Sequence, residues 1–186
     1  ACTVWTGVWI MDKESVYLRP MTLEDSEQVV GWRNKGFVRK NFIYQKLFTV
    51  EGQREWYLTQ VETGNVAQFI VCLRGGREVG STYLREIDRE KGTAEYGIFL
   101  GEKDILGQGI GTLAAQKTLD YAFGELGLEK VFLRFLEDNI GAGRSYEHAG
   151  FRRIEGREEQ VHLEDGVHTV LFMEICRKEW QMRMEE

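Results

Sequence analysis

The chain has 186 residues, of which 42% are hydrophobic and 29% charged, and its formal net charge is -6. This length and composition fit one globular domain with a sizeable core. The acidic charge argues against a nucleic-acid partner, which needs a basic face. No apolar run approaches the length of a membrane span.

The three cysteines, Cys2, Cys72 and Cys176, are scattered along the chain and form no C-x-x-C pair. The three histidines show no metal-ligand spacing with these cysteines, so no metal cofactor is expected. Reduced thiols in a cytoplasmic protein are the simplest interpretation of this pattern.

Residues 1–10 are apolar, contain two tryptophans, and lack the positive region and cleavage site of a signal peptide. Because Met11 resembles a second start, we expect an N-terminal extension at 1–12 and a single domain at 13–186. Three interpretations of the extension stay open: a remnant foreign to the domain, an upstream start, or an extra edge strand.

The first predicted elements are a strand at 16–19, closed by Pro20, and a helix that begins at Thr22. Asp25 lies three residues after the Thr22 cap, where a carboxylate completes a capping pattern. A second helix spans about 50–62. Its buried candidates are Trp56, Leu58 and Val61.

From residue 67 onward, the sequence predicts a sheet and the helix that crosses over it. In chain order the elements are a hairpin at 67–73 and 78–87, a strand at 93–100, a helix at about 109–126, a strand at 131–136, a short helix at 139–148 and two strands around 164–166. A strand, a crossover helix and a further strand imply at least one parallel pair. The predicted fold class is therefore α/β: a single domain with a mixed, mostly antiparallel sheet that contains one parallel strand pair and is flanked by helices.

Gly107, Gly109 and Gly111 lie between a predicted strand and a predicted helix. Glycines let backbone N–H groups approach an anion, and the helix N-terminus adds a positive dipole end. The loop therefore predicts a pyrophosphate site, although no Lys-Ser/Thr pair follows it as in a P-loop. Because the pattern is short, a plain glycine-rich turn is the alternative.

A more specific pattern joins Asn139, Ala142, Tyr146, Gly150 and Phe151. Asn139 is a good helix N-cap, and Ala142 and Tyr146 follow it on one helical face. Taken alone, Tyr146 also fits a buried tyrosine with an ordinary hydrogen-bond partner.

Together the two patterns resemble the acetyl-CoA-binding region of the GNAT superfamily of N-acetyltransferases. The resemblance implies a GNAT fold, acetyl-CoA as co-substrate, and direct attack by an amine in a ternary complex. It makes Tyr146 the acid that protonates the departing thiolate, and it places Asn139 against the pantetheine arm. Leu106 departs from the polar first position of the glycine motif, so backbone amides are expected to carry more of the phosphate binding. The implied cofactor-binding residues are Phe99, Leu100, Leu106, Gly107, Gln108, Gly109, Ile110, Gly111, Thr112, Asn139 and Ala142.

A second catalytic candidate is Glu95, the only charged residue inside the strand at 93–100. A carboxylate in a central strand is costly unless it is paired or lies in a cleft. In the GNAT enzymes that the chain resembles, a glutamate here orients a water or accepts the proton of the amine. A salt bridge to Arg85 or Arg134 on a neighbouring strand has equal weight.

Trp32, Arg33 and Asn34 resemble a segment of amino-sugar N-acetyltransferases, which implies that they bind substrate. A core tryptophan beside a solvated arginine is the alternative. Gln53 stands where those enzymes often have a histidine, so two other functions stay open: a ribosomal-protein type N-terminal acetyltransferase and a non-catalytic acyl-CoA-binding module. The expected partner is a small-molecule amine, with an amino sugar favoured, and a homodimer stays open.

Overall fold

The computed structural model of the protein describes residues 14–185, together with the backbone of Val4–Trp5 and Val8–Trp9. These two short strands pair with each other in antiparallel fashion. Most of the predicted extension at 1–12 lies outside the described residues. None of the described helices is both long and apolar enough to cross a membrane.

Seven strands form one sheet. They are β1 (Val16–Pro20), β2 (Ala67–Leu73), β3 (Glu78–Asp88), β4 (Thr93–Leu100), β5 (Lys130–Leu136), β6 (Arg152–Leu163) and β7 (Gly166–Cys176). Their order across the sheet is β1-β2-β3-β4-β5-β7-β6, and every neighbouring pair is antiparallel except β4 and β5. The predicted α/β fold with one parallel pair is confirmed.

Within residues 14–185, six α-helices cover the sheet or extend it. They are α1 (Ser26–Asn34), α2 (Gly36–Arg39), α3 (Val50–Trp56), α4 (Ile110–Asp120), α5 (Ile140–Ala149) and α6 (Arg177–Met184). Helices α3 and α4 each widen into a π-helical turn, at Tyr57–Val61 and Tyr121–Glu125. Short 3-10 turns, Leu23–Asp25 and Lys103–Ile105, precede α1 and α4.

Both faces of the sheet are buried, because side chains alternate along each strand. On one face Tyr96 of β4 packs with Leu119 of α4 and Ala149 of α5. On the other face Phe99 packs with Val29 of α1. The side chains of β4 therefore alternate between the two faces.

The predicted burial of Trp56, Leu58 and Val61 needs correction, because Trp56 and Val61 are only half-buried. Leu58 was expected to be buried, yet 46% of its surface is exposed, because α3 ends at Trp56 and the wider turn that follows carries Leu58 to the surface. Gln53 is the residue that α3 buries. The C-terminal segment forms α6, and the Glu179 carboxylate accepts a 2.8 Å hydrogen bond from the Cys176 backbone N–H at the start of this helix.

The parallel pair of strands separates after three residue pairs. β4 and β5 are in register only at Thr93–Lys130, Ala94–Val131 and Glu95–Phe132. Beyond this point β5 continues to pair with β7 and β4 with β3. A gap therefore opens in the middle of the sheet between residues 96–100 and 133–136.

Candidate active site

Two cavities meet at this gap. The first, of about 570 Å³, is lined by the glycine loop and α5, and we call it the glycine-loop cavity. The second, of about 560 Å³, is lined by Arg33, Arg85 and Arg134, and we call it the arginine cavity. Residues that line both include Asn139 and Tyr146, which lie on the far side of the gap from β4.

The glycine loop forms a backbone cradle. Gly107 and Gly109 have φ values of 75° and 83°, a left-handed conformation that glycine adopts without strain. Gly109 is also the N-cap of α4 and offers no side chain, so the first N–H groups of α4 have no capping acceptor. A Cβ on Gly111 would lie 3.0 Å from the Ser145 Oγ, so the loop and α5 already lie close together there.

This cradle fits the phosphates of CoA, because it presents N–H groups without a side-chain cap at the positive end of a helix. The cavity is lined by ten of the eleven predicted cofactor-binding residues: Phe99, Leu100, Leu106, Gly107, Gly109, Ile110, Gly111, Thr112, Asn139 and Ala142. Gln108 is not among its lining residues, and its Nε2 donates a 2.7 Å hydrogen bond to the Asp104 carbonyl oxygen. The roles of these residues stay predictions.

Helix α5 places the side chain of Tyr146 at the junction of the two cavities. Asn139 caps it by accepting a 3.4 Å hydrogen bond from the Ala142 N–H, and Gly150 ends it with a φ of 112°. Two turns after the cap, Tyr146 is 8% exposed. Its ring lies edge-on to Phe135 of β5, with centroids 5.5 Å apart.

Burial raises the pKa of Tyr146 well above that of a free tyrosine, and Tyr83 adds to the effect. The hydroxyl therefore keeps its proton at neutral pH. A protonated hydroxyl at the junction of the two cavities can give a proton to a leaving group.

Glu95 is held by both of the arginines that the sequence offered as partners. The Glu95 carboxylate accepts hydrogen bonds from Arg85 Nε at 3.1 Å and Nη2 at 3.0 Å, and from Arg134 Nε at 3.1 Å. Arg85 is its direct partner across β3 and β4, and Arg134 lies on β5 across the parallel pair. The structure therefore contains the ion pair of the alternative interpretation, with both arginines bound. Glu95 also lines the arginine cavity.

The segment Trp32 to Asn34 lies at the end of α1, and its three side chains do different things. Trp32 packs against Gly101 and donates a 3.0 Å hydrogen bond from Nε1 to Glu102 Oε1, outside the lining of either cavity. Arg33 lines the arginine cavity but is only 2% exposed, so it is not the solvated arginine of the alternative interpretation. Of the three predicted substrate-binding residues, only Arg33 lies at a cavity.

Arg33 and Asn34 hold a loop at residues 40–49 over the arginine cavity. The Arg33 guanidinium stacks on Phe42, 3.5 Å from the ring centroid, and donates a 2.6 Å hydrogen bond to the Tyr44 carbonyl oxygen. The Asn34 side chain donates to the Phe48 carbonyl oxygen and accepts from the Phe48 N–H, both at 2.8 Å. Asn34 is therefore a positioning residue for the loop.

Tyr83 forms part of the cavity floor. It lies opposite Gly97 across β3 and β4, and a Cβ at Gly97 would meet the Tyr83 Cζ at 2.2 Å. The ring thus occupies the space that any side chain at position 97 would need. The sequence offered no sign of this contact, because it depends on the register of the two strands.

Gly97→Ala is expected to lower the free energy of unfolding by about 1–3 kcal/mol, because the added methyl group forces the Tyr83 ring to move. Chemical denaturation measures the change. Gly31→Ala is the matched control, since a Cβ there meets nothing within 4 Å and helix propensity favours alanine by about 1 kcal/mol. Equal effects of the two substitutions would contradict the prediction.

The sequence missed several lining residues. In the glycine-loop cavity these include Phe37, Val38, Arg144, Ser145 and His148, and in the arginine cavity Phe42, Phe48 and Tyr83. Helical spacing could have found Ser145, which follows Ala142 by three residues. Its Oγ lies 3.2 Å from the Thr112 Oγ1, which links α5 to α4. The 40–49 loop shows no hydrophobic periodicity, so the sequence could not have predicted that its residues line a cavity.

A phosphate cradle that opens through a split sheet onto a second cavity has the form of an acyl-CoA-dependent transferase. Residues 15–152 match the Acetyltransferase (GNAT) domain family. The chain belongs to this family, and it is an N-acetyltransferase that uses acetyl-CoA as co-substrate. The sequence-based expectations of the family, the enzyme class and the co-substrate are confirmed.

Named relatives agree with this membership. The chain is 32% identical over 149 residues to the Bacillus subtilis protein "Probable N-acetyltransferase YjcK", covering 75% of this chain and 82% of that protein. It is 29% identical over 143 residues to the Escherichia coli spermidine N(1)-acetyltransferase, covering 76% and 75%. The Vibrio cholerae spermidine N-acetyltransferase, solved with CoA and spermine, has the same fold, with a TM-score of 0.82 at 21% identity over 90% of this chain and 98% of that one.

Proposed function

We propose that the protein transfers the acetyl group of acetyl-CoA to the primary amine of an amino sugar or a similar small molecule, by direct attack in a ternary complex. The observation that carries this proposal is the position of Tyr146, which lines both the glycine-loop cavity and the arginine cavity. A thioester that enters from one side and an amine that enters from the other would meet there.

Bound acetyl-CoA supplies an activated thioester, and the residues of the chain do the rest. The first N–H groups of α4 and the glycine loop hold phosphates, and Asn139 fixes the start of α5. The Tyr146 hydroxyl gives its proton to the departing sulfur. Glu95 either accepts the proton of the amine or anchors Arg85 and Arg134, and its three guanidinium hydrogen bonds support the second role.

The size of the arginine cavity supports a small acceptor. Its volume of about 560 Å³ falls in the range of small-molecule sites, and the 40–49 loop lies along it. A protein N-terminal acetyltransferase would need a groove that admits an extended chain. The intact Tyr146 at the junction argues against a non-catalytic acyl-CoA-binding module.

The test is release of free thiol from acetyl-CoA with four acceptor classes: amino sugars with their nucleotide-linked forms, polyamines, aminoglycosides and N-terminal peptides. Turnover is expected with the first class. Turnover with peptides alone would move the assignment to the N-terminal branch. Tight CoA binding without turnover on any class would favour the binding module.

Asn34→Ala is expected to raise the KM for the acceptor by about 10-fold, because the two hydrogen bonds lost with Phe48 are together equivalent to roughly 1–3 kcal/mol. The Kd of acetyl-CoA should stay unchanged, since Asn34 does not line the glycine-loop cavity. Steady-state kinetics and calorimetry measure the two quantities.

Gln45→Ala is the matched control for this substitution. Its Nε2 donates a 2.9 Å hydrogen bond to the Lys40 carbonyl oxygen within the loop itself and does not tie the loop to α1. If Gln45→Ala raised the acceptor KM as much as Asn34→Ala, the anchoring role of Asn34 would be refuted.

We also propose a cytoplasmic location, because Cys72 and Cys176 are free thiols, one of them buried. A homodimer stays a prediction, and light scattering of the purified protein measures it. A mass of one chain at micromolar concentration would contradict it.

A further inference from the structure

The wall of the arginine cavity carries an excess of positive charge. Its lining contains three positively charged residues, Arg33, Arg85 and Arg134, and one negatively charged residue, Glu95. Glu95 can neutralise one arginine, so two positive charges are unmatched within the lining. Opposite charges attract strongly in a concave, partly desolvated site. This excess therefore favours acceptors that carry negative charge.

Arg85 and Arg134 have hydrogen-bond donors to spare. Glu95 engages Nε and Nη2 of Arg85 but only Nε of Arg134. Within residues 14–185, Nη1 of Arg85 and both Nη atoms of Arg134 have no hydrogen-bond partner. The two side chains are 34% and 32% exposed, so these donors can reach a ligand.

Arg33 is an independent feature that favours an anion in this cavity. It is 2% exposed, forms no ion pair within residues 14–185, and its buried Nη1 has no hydrogen-bond partner there. Burial lowers the pKa of Arg33 to about 10, which still leaves it cationic at neutral pH. A buried cation without an anion is costly, and a bound anion in the same cavity would offset that cost.

We propose that the acceptor carries an oxyanion, a phosphate or a carboxylate, which the free donors of Arg85 and Arg134 bind while Arg33 adds its charge from beneath the loop. Guanidinium groups match the planar and bidentate geometry of such groups better than an ammonium does. This inference rests on the proposed function and narrows its substrate class.

The same charges act on the amine. A polyamine would place cations beside three arginines, which is unfavourable. A single amine held near the arginines is disfavoured in its ammonium form, so its pKa falls and the neutral, attacking form becomes more abundant. The oxyanion offsets part of this effect when it binds, so the arginines contribute mainly affinity. The proton that leaves the amine is then accepted by water or by Glu95.

A matched series of three-carbon amines tests the proposal: 3-aminopropyl phosphate, β-alanine, 3-aminopropan-1-ol and 1,3-diaminopropane. With the CoA-bound protein, calorimetry gives the Kd and thiol release gives kcat/KM for each. At least one oxyanion is expected to bind about 10-fold or more tighter than the neutral alcohol, with the diamine weakest, because each tenfold step needs only about 1.4 kcal/mol. The ratio of phosphate to carboxylate identifies the oxyanion.

Arg134→Gln should abolish that preference, so that the oxyanions bind no tighter than the alcohol to the same variant. Arg134→Lys should retain part of the preference, since the positive charge remains without the bidentate guanidinium geometry. Arg89→Gln, on the exposed turn between β3 and β4, is the matched control and should change nothing.

Equal binding of the four amines, a preference for the diamine, or a preference that survives Arg134→Gln overturns the inference. In those cases acetyl transfer to any of the amines leaves the proposed function standing. Conversely, tight oxyanion binding without acetyl transfer to any amine in the series or in the acceptor panel supports the site and refutes the proposed function.

Discussion

Tyr146→Phe is expected to lower kcat by about 100-fold or more, because loss of a general acid removes a factor of this size. The Kd of acetyl-CoA should hardly change, since the ring stays and only the hydroxyl is lost. Tyr146 lines both cavities, and burial raises its pKa further above neutral pH, so the hydroxyl carries its proton there. Rapid-quench measurement of acetyl transfer in one turnover separates the chemical step from product release.

Substitutions of two other tyrosines serve as controls for this result. Tyr96 is 3% exposed and lies edge-on to Tyr146, but it lines only the arginine cavity, so Tyr96→Phe should have a smaller effect. Tyr121, which packs on Phe69 and lines neither cavity, is the control for generic loss of a tyrosine hydroxyl. If Tyr96→Phe were the more damaging change, the proton donor would have to be reassigned.

Glu95→Ala is expected to lower the free energy of unfolding by about 3 kcal/mol, at the lower end of the range for a broken buried ion pair because the two arginines are a third exposed. The substitution leaves Arg85 and Arg134 facing each other without a carboxylate. Urea denaturation measures the loss, and the slope of the transition reports whether the unfolded state has changed as well.

Glu95→Gln separates the structural role from a catalytic one. Glutamine still accepts a guanidinium hydrogen bond, so turnover should fall by less than about 10-fold, whereas loss of a general base would reduce it by about 100- to 10,000-fold. Because the cavity becomes more positive, the ammonium of the bound amine should lose its proton at lower pH. The acidic limb of the kcat profile should therefore move to lower pH. Disappearance of that limb would assign the base to Glu95.

The sheet could be predicted closely because its signals are local. The hairpin of β2 and β3 and the bounds of β4 follow from alternation and from Gly75 and Gly76, which need no information from distant residues. The predicted burial of Leu58 was wrong because the helical period was extended past Trp56, where the α-helix changes to a wider π-helical turn. Periodicity cannot detect a change of helix type.

The candidate site was predicted in part. The strand pattern named Arg85 and Arg134 as partners of Glu95, but only the registers of three strands show that both bind at once. The burial of Arg33 depends on Phe42 and Phe48, which the chain brings back over it 9 and 15 residues later. This packing is a tertiary contact, and no local pattern in the sequence predicts it.

The early end of the pairing between β4 and β5 also has a mechanical consequence. Strands β1 to β4 form one continuous ladder and β5, β7 and β6 another, and only three residue pairs join the two. Side-chain packing therefore carries much of the connection between the two parts, because one core cluster contains Leu84 and Tyr96 from the first and Leu133 and Met173 from the second. We expect a co-substrate bound at the gap to add contacts with both parts, so that the loaded enzyme should be more stable than the free one.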